Sequence, residues 1–217
     1  RWENGGKIKL SQGTNSIILK DLTGFNGRID ALLLTTDKSF IPPDSLPVLN
    51  SMRRQWLGLP SEAPSAGNYD LVVAGGGIAG ISAAVSAARL GLTVALIQNR
   101  PVLGGNNSSE IRVWRSGKTM RGKYPFLGSI VAGLGADKSE DMKSGSSFGD
   151  SIKTALVKAE PNISHFLNYH VFNAITDGNR ITAIVARNIE SGSELKFEAD
   201  LFADCTGDAN LGYLAGA

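Results

Sequence analysis

Apolar positions change their spacing along this chain, and each change marks an element. Leu71, Val72, Val73 and Ala74 form an unbroken apolar run after Tyr69 and Asp70. A short run without alternation is the pattern of a strand buried on both faces of a parallel sheet. From Ile78 to Leu90 the spacing becomes helical and the side chains small, with Ala83, Ala84, Ala87 and Ala88. Thr93–Ile97 then reads as a second strand. The order strand, helix, strand predicts a parallel pair with the helix as its crossover. Helices are also predicted at Phe126–Leu134 and from Gly149 to Glu160, the second stopped by Pro161. Strand patterning follows at Ile163–Ile175, Ile181–Ile189, Glu194–Phe197 and Ala199–Ala203. Asp177-Gly178-Asn179 and Glu190–Ser193 supply the turns of this meander.

The first part of the chain has a different pattern. Lys7–Leu10, Asn15–Lys20 and Arg28–Thr35 read as short strands, with Gly24 and Asn26-Gly27 as turn residues. Residues 39–68 read as a linker because Pro42, Pro43, Pro47, Pro60 and Pro64 interrupt any periodicity, with one short helix at Met52–Leu57. The domain reading is therefore a β segment over residues 1–38, a linker over 39–68 and an α/β domain over 69–217. The chain starts at Arg1, and the apolar stretch Asn210–Ala217 has no polar finish, so it reads as a portion of a longer polypeptide.

Composition narrows the function classes. Twenty-two Lys and Arg against 20 Asp and Glu leave a net charge of +2, which gives no whole-chain argument for nucleic acid. A single cysteine, Cys205, excludes an internal disulfide framework and a multi-cysteine metal site. Leu71–Ala88 is uncharged over 18 residues, but its four glycines and its change from strand to helix pattern argue against a membrane span. Glycine is the unusual count: 26 residues, of which 15 lie between Gly67 and Gly149. Without a collagen period, that enrichment points to tight turns and close backbone approach.

Gly75-Gly76-Gly77-Ile78-Ala79-Gly80 matches G-x-G-x-x-G and lies directly between the first strand and the helix. That context turns a weak motif into a dinucleotide-binding turn. Gly75 permits the tight turn, Gly77 lets a pyrophosphate approach the backbone, and Gly80 lets the helix pack on the sheet. The helix N-terminus offers free N–H groups and a positive dipole end. Gln98 ends the second strand where an acidic residue would accept both ribose hydroxyls. An amide can accept one hydrogen bond and donate another, without the strength of a charged acceptor. Downstream, Arg100 would neutralise phosphate charge, and Gly104 and Gly105 would let backbone pass close to the cofactor.

Together these residues resemble the FAD-binding signature of two-dinucleotide-binding-domain flavoproteins. The run Arg100-Pro101-Val102-Leu103-Gly104-Gly105-Asn106-Asn107-Ser108-Ser109-Glu110 is similar to the R-P-x-L-G-G-N-x-S-S-E segment of one group of FAD-dependent oxidoreductases, found largely in glycan-degrading bacteria. Cys205-Thr206-Gly207-Asp208 takes the place where such proteins return to the sheet with an A-T-G-like turn. The resemblance covers residues 69–217 and implies a Rossmann-like FAD-binding domain with a β-meander insertion. It implies FAD contacts from Thr206, Gly207 and Asp208, and an adenine contact from Val171; Asn106, Ser108 and Ser109 either face the flavin or belong to a solvated loop, the first being the expectation. For Asp208 a capping role on the next helix is an equal alternative. Gly13–Leu19 and Ile29–Leu34 resemble the last strands of a carbohydrate-binding β-sandwich module, from which a glycan-derived small-molecule substrate is inferred.

Competing motifs fail on context. Gly145-Ser146-Ser147-Phe148-Gly149 matches G-x-S-x-G but follows a polar stretch instead of a buried strand. Gly117-Lys118-Thr119 lacks the first P-loop glycine, since position 112 is Arg. His165 and His170, five apart on one expected strand, fall on opposite faces and cannot share a metal. Cys205 reads as a small buried residue beside the cofactor turn. No catalytic base is identified. The expected function is hydride transfer to or from FAD. An NAD-binding dehydrogenase module, or a glycan-binding protein with a vestigial Rossmann half, are the alternatives.

Overall fold

The computed structural model describes residues 2–20, 22, 29, 31–135 and 148–217. It divides into two compact units, residues 1–58 and 59–217. In the first unit the described residues form one helix, α1 (Leu46–Trp56), longer than the expected Met52–Leu57 because Pro47 sits in its first turn, where a missing N–H costs nothing. The expected strands at Lys7–Leu10 and Asn15–Lys20, and the described residues of the third, are not strands. A strand requires a partner for its row of N–H and C=O groups, and the pattern alone does not supply one. The expected turn residues Gly24 and Asn26-Gly27 lie outside the described residues, as do Asp137–Ser147 and hence most of the G-x-S-x-G match.

The second unit follows the predicted order. It comprises β1 (Ser65–Ala74), α2 (Ile78–Arg89), β2 (Val94–Gln98), α3 (Ser129–Gly133), α4 (Asp150–Lys158), β3 (Ile163–Leu167), β4 (Tyr169–Asp177), β5 (Arg180–Asn188), β6 (Glu194–Asp204) and α5 (Asn210–Ala215). The six strands form one sheet in the order β3-β2-β1-β6-β5-β4. The pairs β3–β2, β2–β1 and β1–β6 are parallel, while β6–β5 and β5–β4 are antiparallel. The meander therefore returns the chain beside β1, with Val73 opposite Ala203 and Ala74 opposite Asp204.

Two expected elements differ in detail. Ile163–Ile175 is not one strand: Asn168, at φ +63°, breaks it into β3 and β4, which lie at opposite ends of the sheet order. His165 and His170 are thus separated by topology, on different strands. Glu194–Phe197 and Ala199–Ala203 are one strand, because the whole stretch finds partners in β1 and β5.

Alternation along the central strands builds two cores. Val73, Val94 and Leu96 face α2, packing with Ile81, Ala84, Val85 and Ala88 and with Val157 of α4. Val72, Ala74, Ala95 and Ile97 face the other way, packing with Val171, Ile184, Phe197 and Leu211. Each fully buried Val, Ile or Leu contributes on the order of 2 kcal/mol. Burial on both faces is why these strands read as continuous apolar runs. No described helix is long and apolar enough to cross a membrane.

Candidate functional site

Three turns converge at the carboxyl ends of β1, β2 and β6. The first is the glycine loop between β1 and α2. Gly75 has φ +106°, and a Cβ there would run into the carbonyl group of Cys205 and lie 2.9 Å from the Thr206 nitrogen. The tight turn is therefore demanded both by backbone angle and by the chain segment after β6. A Cβ at Gly80 would collide with the Gly75 carbonyl and lie 3.3 Å from the Cys205 Cβ. Gly77 has an ordinary φ of −71°, and the nearest group to a Cβ there would be the Gly105 Cα, 4.0 Å away. Its lack of a side chain serves open space, not backbone conformation. The N-terminus of α2 carries no side-chain cap and no acidic residue in its first turn. Its free N–H groups are an anion site by charge and by unmet hydrogen-bonding capacity.

The second turn follows β2. The Gly104 nitrogen donates to the Gly76 carbonyl at 2.8 Å, and Gly104 forms a parallel bridge with Gly77. Gly104 and Gly105 hold φ of +117° and +58°, the left-handed region that favours glycine. Gly105 also faces Gly77, whose Cα would lie 3.1 Å from an added Cβ. Asn106 is exposed and its carbonyl accepts from Val113 at 2.9 Å. Asn107 and Ser108 are buried, and Asn107 Oδ1 and Ser108 Oγ make no hydrogen bond among the described residues. Buried polar atoms without partners cost about 1–3 kcal/mol each, so this turn keeps hydrogen-bonding capacity that the described residues do not meet.

Gln98 is placed differently from its expected ribose role. It is buried, its Oε1 accepts from the Gly76 nitrogen at 2.9 Å, and its Nε2 donates to the Val102 carbonyl at 3.2 Å. Both ends of the amide join the two glycine turns, which an acidic residue could not do at the Nε2 end. Arg100 is partly exposed and paired with Glu110 at 3.3 Å, so its charge toward a phosphate is shared.

The third turn follows β6. The Cys205 nitrogen donates to the Ala74 carbonyl at 2.7 Å, locking this turn to the glycine loop. Thr206 donates through its nitrogen and its hydroxyl to Asp204 Oδ1, at 3.0 and 2.6 Å. Burial pushes the Asp204 carboxyl up, but hydrogen bonds from Thr206, Gly212 and Leu211 outweigh it and hold the pKa below the ordinary value of 3.8. Burial raises the Cys205 thiol above its ordinary value, with Asp204 adding to the effect, so this cysteine stays protonated at neutral pH. Gly207 is exposed at φ +92°. Asp208 is exposed, and the capping alternative fails. The first-turn nitrogens Asn210 and Gly212 of α5 bond instead to Thr206 Oγ1 and Asp204 Oδ2.

Val171 stands apart from the three turns. Its side chain is buried in the core with Ala95 and Ile97, and its carbonyl accepts from Asn210 Nδ2 at 2.8 Å. Its carbonyl is thus already engaged by the helix that follows the third turn.

Sequence reasoning missed several participants. Gly76 is one: a Cβ there would lie 2.7 Å from Leu103 and 2.9 Å from Gln98. Its own place as an unspecified position in the motif hid it. Asp150, which accepts from the Ser109 nitrogen at 3.1 Å, and the buried Lys153, packed on Gly104, lie 41 and 49 residues from their partners in sequence and carried no signal. Among the described residues no group of three or more His, Cys, Asp or Glu side chains could hold a metal ion.

The residues fit an FAD molecule: a glycine cradle, an uncapped helix N-terminus facing it, and orphaned buried polar atoms on the facing turn. A stretch of 39 residues, 18% of this chain, is 56% identical to a soluble pyridine nucleotide transhydrogenase from Ectopseudomonas mendocina, covering 8% of that protein. Among solved structures, L-proline dehydrogenase from P. horikoshii is similar over 68% of this chain and 24% of its own, with 21% identity and a TM-score of 0.42. The 3-ketosteroid-delta4-(5alpha)-dehydrogenase from Rhodococcus jostii is similar over 63% of this chain and 46% of its own, with 15% identity and a TM-score of 0.43. The chain thus spans less than half the length of each of these proteins. The family model described as FAD dependent oxidoreductase matches residues 70–217, from within β1 through α5 to the last residue, and the chain belongs to that family.

Proposed function

We propose that residues 69–217 form the FAD-binding portion of an oxidoreductase that passes a hydride between a small-molecule substrate and the flavin. The observation that carries this reading is the convergence of three turns, Gly75–Gly80, Gly104–Ser108 and Cys205–Asp208, locked by the Gly104–Gly76 and Cys205–Ala74 backbone bonds. Bound FAD supplies the hydride-accepting ring system, and the protein supplies binding and orientation. In this reading Gly75, Gly77, Gly80 and the first turn of α2 take the pyrophosphate. Gly104, Gly105, Asn106 and Ser108 close over it from the second turn, with Ser108 Oγ gaining the partner it lacks. Arg100 adds charge in exchange for part of its Glu110 pairing. Thr206, Gly207 and Asp208 form the third wall. Gln98 keeps one N–H and one lone pair for a ribose hydroxyl beside its bonds to Gly76 and Val102, and Val171 offers the adenine its remaining backbone group.

The family membership and the match to a pyridine nucleotide transhydrogenase support a small-molecule substrate. A sugar-derived substrate rests only on the resemblance of residues 13–34 to a carbohydrate-binding module. The chain is expected to work together with further segments of its polypeptide, and no nucleic-acid partner is proposed. The test is a titration of the purified chain with FAD and, separately, with NAD, followed by flavin fluorescence and by absorption. Saturable one-to-one FAD binding is expected. Saturation by NAD with none by FAD would overturn the assignment in favour of a dehydrogenase module.

A further inference from the structure

Lys153 is among the largest side chains fully removed from solvent, yet it carries a charge and belongs to none of the three turns. Burial holds its pKa below the ordinary lysine value, partly offset by Asp150 and reinforced by Arg115. A buried lysine is costly unless its ammonium is bonded, and here Nζ donates to the Phe148 carbonyl. The stem is equally committed. A Cβ added at Gly104 would lie 3.0 Å from both Cδ and Cε of Lys153, so the stem runs directly against the Gly104 backbone.

The same helical turn makes a second contact with the same loop. The Asp150 carboxylate accepts from the Ser109 nitrogen at 3.1 and 3.3 Å. The first turn of α4 therefore holds the 104–109 segment at both ends, by Lys153 at Gly104 and by Asp150 at Ser109. Between these two points lie Asn107 and Ser108, whose buried Oδ1 and Oγ have no partner among the described residues. Phe148, which anchors the ammonium, is itself buried and stacked on Trp114, with ring centroids 4.4 Å apart. The anchor is thus packed in place, and the loop it supports bends through two positive-φ glycines, residues with wide backbone freedom.

We propose that Lys153, assisted by Asp150, is a positioning residue that holds the Gly104–Ser109 turn in its cofactor-facing conformation. This extends the FAD reading, but its test does not depend on it alone. Lys153→Ala removes both the stem and the ammonium. Lys153→Met keeps the stem and removes only the ammonium. In the wild-type chain the Gly104, Asn107, Ser109, Arg112 and Val113 nitrogens are all hydrogen-bonded, so the segment 103–113 reports on the turn through hydrogen exchange.

Lys153→Ala is expected to speed exchange in segment 103–113 at least tenfold while β5 and β6 change less than threefold, and to weaken FAD binding about tenfold. Lys153→Met is expected to recover about half of both effects on a logarithmic scale, since the stem remains on Gly104 while the ammonium's bond to Phe148 is lost. Wild-type exchange in segment 103–113 of Lys153→Ala, or an equal rise there and in β5, would overturn the proposal by making the lysine merely structural. If Lys153→Ala does not fold, Lys153→Met decides: exchange raised about threefold in segment 103–113 alone supports it, and no local change overturns it. If the wild-type chain fails to bind FAD, the cofactor reading falls, while the exchange contrast still decides the role of Lys153.

Discussion

Two glycine-bearing stretches of this domain use the residue for largely different reasons. In Gly75–Gly80 and at Gly104–Gly105, an added Cβ meets backbone or packed side chains at Gly75, Gly76, Gly80, Gly104 and Gly105. In the stretch from Gly117 to Gly133, an added Cβ at Gly117, Gly122 or Gly133 meets nothing within 4 Å among the described residues, and only at Gly128 would it press on Met120 and Thr119. The first set is required because separate turns of chain press against one another at that point. In the second, Gly117 and Gly122 serve local backbone angle, with φ of +113° and +81°, and Gly133 serves neither need. A glycine count does not separate these cases. The flanking strand and helix do, because they bring three chain ends into one small space.

Substitutions can break or sharpen that contrast, and the largest effect is expected at Gly75. Gly75→Ala combines a left-handed backbone angle with a collision against the Cys205 carbonyl. The two costs together come to about 2–5 kcal/mol in urea denaturation, with FAD binding lost even where the chain still folds. A wild-type midpoint would show that the turns do not touch as described.

Gln98→Leu comes next. It leaves the buried Gly76 nitrogen without its acceptor, at a cost of about 1–3 kcal/mol. Gln98→Glu keeps the acceptor but loses donation to Val102, and is expected to be the milder change. If the two variants prove equally stable, the bridge between the glycine turns is not what holds Gln98.

Gly133→Ala should reverse the sign. The residue is helical, its φ is not positive, and the space beside it is open, so the variant is expected to gain roughly 0.5–1 kcal/mol without altering FAD affinity. A loss of stability there would put Gly133 in the same class as Gly75.

The smallest effect concerns pH. The folded-state pKa of Asp204 lies below the ordinary 3.8, so its contribution is complete above 3.8 and is lost as pH falls through the lower folded value. Stability and FAD affinity should therefore show no Asp204-dependent change between pH 7 and 5. Below 3.8 the wild type should lose its advantage over Asp204→Asn. A difference between the two that narrows already between pH 7 and 5 would contradict the sign.

Much of the domain was legible because its signals are local. The run Leu71–Ala74, the small helix Ile78–Arg89 and the turns at Gly178 and Gly192 each specify their element within a few residues. The glycine loop was legible for the same reason, as was its place between strand and helix. The N-terminal strands were misread because alternation marks a segment able to pair, whereas pairing needs a partner that the pattern does not name. Asn168 was missed because a single left-handed residue inside an apolar stretch leaves the periodicity intact.

The sequence alone determined the parallel β1–α2–β2 unit, its glycine turn and the family to which residues 70–217 belong. Backbone angle and apolar spacing are encoded by neighbouring residues, so these features needed no knowledge of distant contacts. Only the tertiary structure decided that Gln98 joins the two glycine turns, that Asp204 and Thr206 rather than Asp208 hold α5, and that Lys153 lies under Gly104. Each of these depends on residues brought together from between 22 and about 50 positions apart, or on a choice between near neighbours equally able to bond. Sequence spacing is silent on such choices, and packing makes them.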